Sequence, residues 1–160
     1  MKTCVYPGSF NPPTVGHMDI IMRAARLFDR VVVAVMDNGQ KRYTVASEAR
    51  AEMLKKCTEG MPCVDVLIDD GLSASLAKRL SADAIIRGVR GEEDIASESL
   101  LAAVNRHLEN IETVFLFANP EHSFINSMVV RNVALHGGCL NGMVPEEIRL
   151  EIEKLYGSHE

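Results

Sequence analysis

The chain concentrates small residues, a hydroxyl and an imidazole in one stretch, Tyr6-Pro7-Gly8-Ser9-Phe10-Asn11-Pro12-Pro13-Thr14-Val15-Gly16-His17. An apolar run over residues 3–6 leads into Pro7-Gly8, and the residues after Thr14 have helical spacing, so the stretch reads as a strand-to-helix turn. Such a turn offers a phosphate free backbone N–H groups and the positive end of the following helix, provided small residues let the anion come close. Gly8, Ser9 and Gly16 meet that need. His17 falls in the first turn of a helix that Thr14 would cap, with its imidazole directed at the same phosphate-sized space. The plainer alternative is a turn that merely reverses the chain, with His17 on the surface. The pattern is neither a GxGxxG fingerprint nor a Walker loop, so neither dinucleotide binding nor ATPase chemistry follows from it.

The elements that must position these residues are legible in the periodicity. Residues 15–28 recur as an amphipathic helix with Met18, Ile21, Met22, Ala25 and Phe28 on one side and Asp19, Arg23 and Arg26 on the other. Residues 31–35 form an unbroken valine-rich run, as in a strand buried on both faces of a parallel sheet. A polar loop over residues 37–43, with Asn38-Gly39 as turn chemistry, precedes a helix over 47–59 that Gly60 stops. Residues 64–68 are the third strand, 72–80 a short helix and 84–86 the fourth strand. A helix over 94–108 follows, with Ile95, Leu100, Leu101 and Val104 spaced for burial, and then the fifth strand over 113–117. Residues 127–136 read as a helix ended by Gly137-Gly138, and Pro145 opens a last one carrying Ile148, Ile152 and Leu155. Strands and helices alternating at this interval predict an α/β fold: a Rossmann-like, doubly wound, five-stranded parallel sheet with helices on both faces.

The 160 residues, 47% of them hydrophobic, predict one domain spanning positions 1–160. A net charge of −5, with the 17 basic residues dispersed, argues against a nucleic-acid surface and leaves small anionic ligands open. Cys4, Cys57, Cys63 and Cys139 match no zinc or disulfide spacing and read as reduced packing residues. Lys2 precedes a run too short for a signal peptide and no stretch approaches a membrane span, which predicts a soluble, cytoplasmic protein with no membrane partner.

In such a sheet the ligand lies beyond the carboxyl ends of the strands, so only residues just after each strand compete for a role. These are Gly8, Ser9, Phe10 and His17, then Lys41 and Arg42, Gly71 to Ser73, Arg87 and Arg90, and His122 to Ser127. Four cations and two histidines converging on one rim suit two or more phosphates. For Arg87 and Arg90 the competing reading is pairing with Glu92, Glu93 or Asp94, set against Gly88 between them, which points to a close approach of backbone to ligand. Glu98, alone, reads as a solvated helix charge, and Lys41-Arg42 as a basic pair in a polar loop. Over 122–127 the competing reading is simple capping by Asn126 or Ser127, although a helix start can cap itself and still bind phosphate with its remaining N–H groups. His107, His136 and His159 have no convergent partners.

Gly8-Ser9-Phe10-Asn11-Pro12 with Thr14-Val15-Gly16-His17 resembles the GxFDPxTxGH signature of the nucleotidyltransferase superfamily with a (T/H)xGH motif. Ile86-Arg87-Gly88-Val89-Arg90, Asn105-Arg106-His107-Leu108 and Ser123-Phe124-Ile125 resemble the phosphopantetheine adenylyltransferase family in particular, in matching order from about residue 3 to residue 145. The resemblance implies transfer of adenylate from ATP to 4′-phosphopantetheine, giving dephospho-coenzyme A and pyrophosphate. It implies catalytic roles for His17, Lys41 and Arg90, the last on the β- and γ-phosphates. ATP would be held by Gly8, Ser9, Phe10, His17, Gly88, Val89, Arg90, Glu98 and the turn His122, Ser123, Phe124, Ile125, Asn126, Ser127 and Met128. Phosphopantetheine would be held by Ser9, Lys41, Ser73, Arg87, Leu101 and Asn105. Mg²⁺ would come with ATP, with no metal site of the protein's own, and the family implies a homohexamer. The chain departs from the pattern at four places: Ser9 for threonine, Asn11 for aspartate, Ser97 for tyrosine, and Ile125-Asn126-Ser127-Met128 where the family has ISSS or ISST. The loop over 37–43 does not distinguish Lys41 from Arg42 as the reacting-centre cation. Two alternatives follow: another small-acceptor nucleotidyltransferase of the superfamily, or a non-catalytic nucleotide-binding module.

Overall fold

A computed structural model describes residues 1–39 and 42–158. Its centre is an all-parallel sheet of strands β1 (Thr3–Gly8), β2 (Arg30–Met36), β3 (Val64–Asp69), β4 (Ala84–Val89) and β5 (Glu112–Phe117), in the order β3-β2-β1-β4-β5. Helices α1 (Val15–Leu27), α2 (Ser47–Thr58), α3 (Ser73–Arg79) and α4 (Glu92–Glu109) fill the crossovers, followed by α5 (Ser127–Leu135) and α6 (Arg149–Tyr156). The doubly wound five-stranded sheet is as the alternation predicts. Among the described residues no helix is long and apolar enough to cross a membrane.

Strand alternation assigns the two faces. Cys4, Tyr6, Val31, Val33, Val35 and Ile86 meet α1 and α2, while Val5, Val32, Ala34 and Ile85 meet Ala74, Leu76 and Ala77 of α3. The continuous valine run of β2 is buried on both faces because each face has its own helical layer. A further apolar cluster joins Met53 of α2 to Val130 and Ala134 of α5 and Ile152 and Tyr156 of α6.

The strand order reverses between β1 and β4, and there the ladder is short. β1 pairs with β2 through Gly8 and Val35, and β4 with β5 through Val89 and Phe117, whereas β1 and β4 pair only at Cys4 with Ala84 and Val5 with Ile85. Pro7 has no N–H with which to extend that ladder. Its carbonyl instead accepts from Arg87 Nη1 at 2.5 Å. The two strands therefore part at their carboxyl ends and open a crevice at the switch point, where ligands of open α/β sheets bind.

Three expectations need correction. β1 runs on through Gly8 and β4 through Val89, so Arg87, Gly88 and Val89 are strand residues rather than a loop after the strand. The last helix does not start at Pro145: a single 3₁₀ turn, Glu146–Ile148, comes between, with Pro145 as its cap. In α4 no residue is fully buried, and Leu100, Leu101 and Val104 are 67%, 51% and 44% exposed. The helix covers β4 and the edge strand β5, and its outer face lies beyond the sheet; periodicity reports an apolar stripe without reporting what covers it. All four cysteines are free thiols; Cys4 is buried, Cys57 and Cys63 are partly buried and Cys139 is exposed.

Candidate active site

A cavity of about 240 Å³ lies between the carboxyl ends of β1 and β4, walled by Gly8, Ser9, His17, Arg87, Gly88 and Arg90, and closed by the turn before α5. The imidazole of residue 17 and the guanidinium of residue 90 therefore share one chamber. A second cavity of about 100 Å³ is lined by Ser73, Leu101, Ala102, Asn105 and Thr113. Pro7, Arg87 and Glu98 line both, so the two spaces share a wall.

The His17 wall follows from local sequence. Thr14 is the N-cap of α1, its Oγ1 accepting from His17 N at 3.3 Å, and His17 Nδ1 accepts from Thr14 N at 3.0 Å. This reciprocal capping box uses an imidazole where Glu or Gln is usual. Because Nδ1 accepts from an N–H, the ring proton of the neutral form resides on Nε2, which makes Nε2 a donor. Burial, and then the charges of Arg87 and Arg90, push the His17 pKa from 6.5 down to about 4. The ring is therefore neutral at physiological pH.

Phe10 sets the plane of that ring. It is buried and has φ +45°, a left-handed conformation that a non-glycine residue adopts at some cost. Its ring lies edge-on to Tyr6 (5.3 Å between centroids) and to His17 (4.9 Å). A Cβ on Gly8 would stand 3.0 Å from Phe10 Cζ, so Gly8 is required by this folded-back ring. Gly88 is likewise explained by packing: its Cβ would meet Ile20 Cγ1 of α1 at 3.1 Å. The close approach inferred for Gly88 is therefore first to a helix, although the residue also lines the cavity.

On the opposite wall the arginines are paired. Arg87 Nε and Nη2 donate to both oxygens of Glu98 at 2.6 and 2.7 Å. Glu98 is thus no solvated helix charge: its side chain is only 13% exposed and holds Arg87 in a fork between the two cavities. Arg90 donates from its backbone N and Nε to Asp94 Oδ2, both at 2.9 Å, and from Nη2 to Oδ1 at 3.1 Å. Pairing with an acid therefore holds for Arg90, but at the cavity wall. These contacts favour the charged form of Arg90, whose pKa is raised.

Asn126 is the N-cap of α5, its Oδ1 accepting from Val129 N at 2.9 Å, and the Ser127 hydroxyl donates to Pro12 O at 2.8 Å. Both capping and facing the cavity hold here, since Ile125, Asn126 and Ser127 line it together with His122. The buried Nδ1 of His122 has no hydrogen-bond partner among the described residues. Four of the expected ATP contacts do not line this cavity: Val89 is buried in the sheet, the Ser123 hydroxyl donates to Pro120 O, and Phe124 and Met128 are exposed. Phe10, with its ring buried, presents little beyond its ring edge and backbone. Arg42 does not line this cavity but a neighbouring open groove with Tyr43, Arg131 and Leu155, which Ser9 shares with it. Lys41 lies outside the described residues.

Sequence reasoning missed the residues behind the site. Arg50 of α2, fully buried, donates to Ser9 O at 2.6 Å. Its signal was present: it precedes Met53 and Leu54 by three and four residues and so shares their buried face. Arg131 Nη1 donates to Asn11 O at 2.6 Å and Tyr156 Oη to Asn11 Oδ1 at 2.7 Å, so α5 and α6 clamp the turn. No local pattern announces contacts of that sequence separation.

A cavity at the switch point of an open parallel sheet, with a donor imidazole and two helix starts facing it, belongs to the nucleotidyltransferase class, and a cytidylyltransferase-like family model matches residues 5–133. Within that class the chain belongs to the phosphopantetheine adenylyltransferase family. It is 41% identical over 157 residues to the phosphopantetheine adenylyltransferase of Carboxydothermus hydrogenoformans, covering 98% of this chain and 97% of the relative. It is 44% identical over 155 residues to the protein of that name from Synechococcus sp. (strain CC9902), 96% of this chain and 95% of the relative. For the Gloeobacter violaceus protein of that name the identity is 46% over 149 residues, 92% of each chain.

Proposed function

We propose that the chain, as a single nucleotidyltransferase domain, transfers adenylate from ATP to 4′-phosphopantetheine, releasing pyrophosphate and forming dephospho-coenzyme A. The observation that carries this reading is the pair of cavities divided by Pro7, Arg87 and Glu98. The larger is the nucleotide's and the smaller, with Ser73, Leu101 and Asn105, is the pantetheine arm's. Arg87 on the partition meets the acceptor phosphate.

A phosphate monoester has its second pKa at about 6, so at neutral pH the acceptor is mostly a dianion and needs no general base. One of its oxygens forms a bond to the α-phosphorus as the bond from that phosphorus to the bridging oxygen breaks, and that electron pair leaves with pyrophosphate. No covalent enzyme intermediate forms. What remains for the protein is alignment and fixed positive charge. His17 donates from Nε2 to an α-phosphate oxygen, Arg90 binds the β- and γ-phosphates, and Lys41 bridges acceptor and α-phosphate. The starts of α1 and α5 add N–H groups.

The cavity carboxylates Asp94 and Glu98 are taken up by arginines, so the wall does not fit a resident Mg²⁺. The ion enters as ATP's counter-ion, part of the substrate. The exposed apolar residues of α4, with Phe117 of β5, support assembly of copies into a homohexamer. The reading is of a cytoplasmic enzyme whose partners are its substrates, without nucleic acid or membrane.

The test is pyrophosphate release from ATP plus 4′-phosphopantetheine, run beside ATP plus nicotinate mononucleotide and CTP plus a small phosphorylated acceptor. Release with the first pair alone is the expected result. Release only with another pair would replace the acceptor, and release with none would leave a nucleotide-binding module.

A further inference from the structure

One charged side chain outside the cavity ties a residue that lines it, Ser9, to two other segments of the chain. Arg50 of α2 is 0% exposed, and its guanidinium is shared among three segments of chain. Nε donates to Val45 O at 3.0 Å, Nη1 to Ser9 O at 2.6 Å, and Nη2 to Asp37 Oδ1 at 2.5 Å. The Tyr43 ring lies against its face, 4.5 Å from centroid to guanidinium carbon. Tyr43 Oη in turn accepts from Asn38 N at 3.0 Å. A planar fork with donors in fixed directions can bind these groups at once; a lysine ammonium, a single point of charge, cannot.

A buried charge is costly to keep, and an apolar residue would pack α2 as well. Its one carboxylate partner among the described residues, Asp37, is 44% exposed. A contact made only for stability has no need of Ser9, which lines the cavity. The chain thus places a cation where it joins the carboxyl end of β2 to the phosphate-facing turn after β1.

We propose that Arg50 is a positioning residue for the transfer step: it fixes the Ser9 carbonyl, and with it the turn that receives phosphate, relative to the chain leaving β2. The proposal rests on the transferase reading above for its kinetic consequence, but not for its structural one. Holding reacting groups in line matters more to turnover than to ATP affinity, because small misplacements act on the transition state.

The test compares wild type with Arg50→Lys, Asp37→Ala, Ser9→Ala and the double Asp37→Ala/Ser9→Ala. Kinetics with ATP and 4′-phosphopantetheine are combined with amide hydrogen exchange over residues 8–12 and 36–46. Arg50→Lys is expected to lower kcat on the order of 10²-fold and Asp37→Ala on the order of tenfold, with KM for ATP within about twofold. The Asp37→Ala loss is expected to shrink in the Ser9→Ala background, since both act through one turn. Exchange is expected to rise in both segments together in Arg50→Lys and Asp37→Ala. If Arg50→Lys does not fold, Asp37→Ala and the double-mutant comparison decide alone. Unchanged kcat with a lowered Tm would overturn the proposal by leaving Arg50 a purely structural residue, as would a rise in exchange confined to residues 36–46. A wild-type protein inert with these substrates would instead sink the transferase reading, and the exchange data would still judge the positioning claim.

Discussion

Helices α1 and α4 each follow a strand that feeds the cavity, yet they hold their walls in opposite ways. α1 buries Met18, Ile20, Ile21 and Ala24 in the central core and fixes His17 through its own cap. α4, the longer helix, buries no residue fully and meets the site through two acids, Asp94 and Glu98, that grip Arg90 and Arg87. One wall is set by packing and a helix terminus, the other by ion pairs on a helix whose apolar stripe faces outward. The imidazole side is thus anchored in the central core, whereas the guanidinium side is held by a helix whose apolar residues Leu100, Leu101 and Val104 are exposed.

The sharpest attack on the first wall is His17→Ala. Removing a donor aimed at developing charge should lower kcat by about 10²–10³-fold or more while ATP affinity changes little. Steady-state kinetics beside a direct ATP-binding measurement will show it. A loss confined to ATP affinity would mean that the imidazole binds the ground state.

On the second wall, Glu98→Gln keeps the shape and removes the charge that orients Arg87. We expect kcat/KM for 4′-phosphopantetheine to fall on the order of tenfold, with the smaller change in KM for ATP, because the pair stands on the partition. A uniform effect on both substrates would assign Glu98 to the nucleotide instead.

Whether the proposed assembly uses this exposed face is tested by Leu100→Glu combined with Val104→Glu. If copies cover this stripe, sedimentation should show the assembly dissociating, and Tm should fall by several degrees, of the order that about 1–2 kcal/mol produces in a domain of this size. Unchanged sedimentation would place the assembly surface elsewhere.

The smallest effect separates the walls by pH. A depressed imidazole pKa means that His17 favours the folded state at pH above its ordinary value of 6.5, and that this contribution is lost as pH falls toward about 4. Imidazole nitrogen NMR should therefore find His17 neutral, with its proton on Nε2, from about pH 8 to about pH 5. A midpoint between about 6 and 7 would mean that the ring is less buried, and Arg87 and Arg90 farther off, than described.

How much of this was legible varies with the range of the interaction. The sheet was, because the β2 valines and the helix periodicities are local signals that topology then orders. The His17 turn was as well, since Thr14 and His17 cap within one helical turn. Glu98 was misread because its meaning lies in Arg87, on another element, and an acid four residues after Asp94 looks like an ordinary helix surface. The α4 stripe was read as core because an apolar face looks the same whichever surface covers it. Arg50 was missed because a charged residue among Ala, Met and Leu does not by itself say which carbonyls await it.

The clamp on Asn11 has a consequence for how the molecule comes into being. Translation delivers the first turn early, but the phenol of Tyr156 that bonds Asn11 belongs to the final helix. A nascent chain can therefore form β1 and β2 while its phosphate turn still lacks that bond. The turn that lines the pocket therefore gains its last side-chain contact only when α6, 145 residues further along the chain, has packed against it.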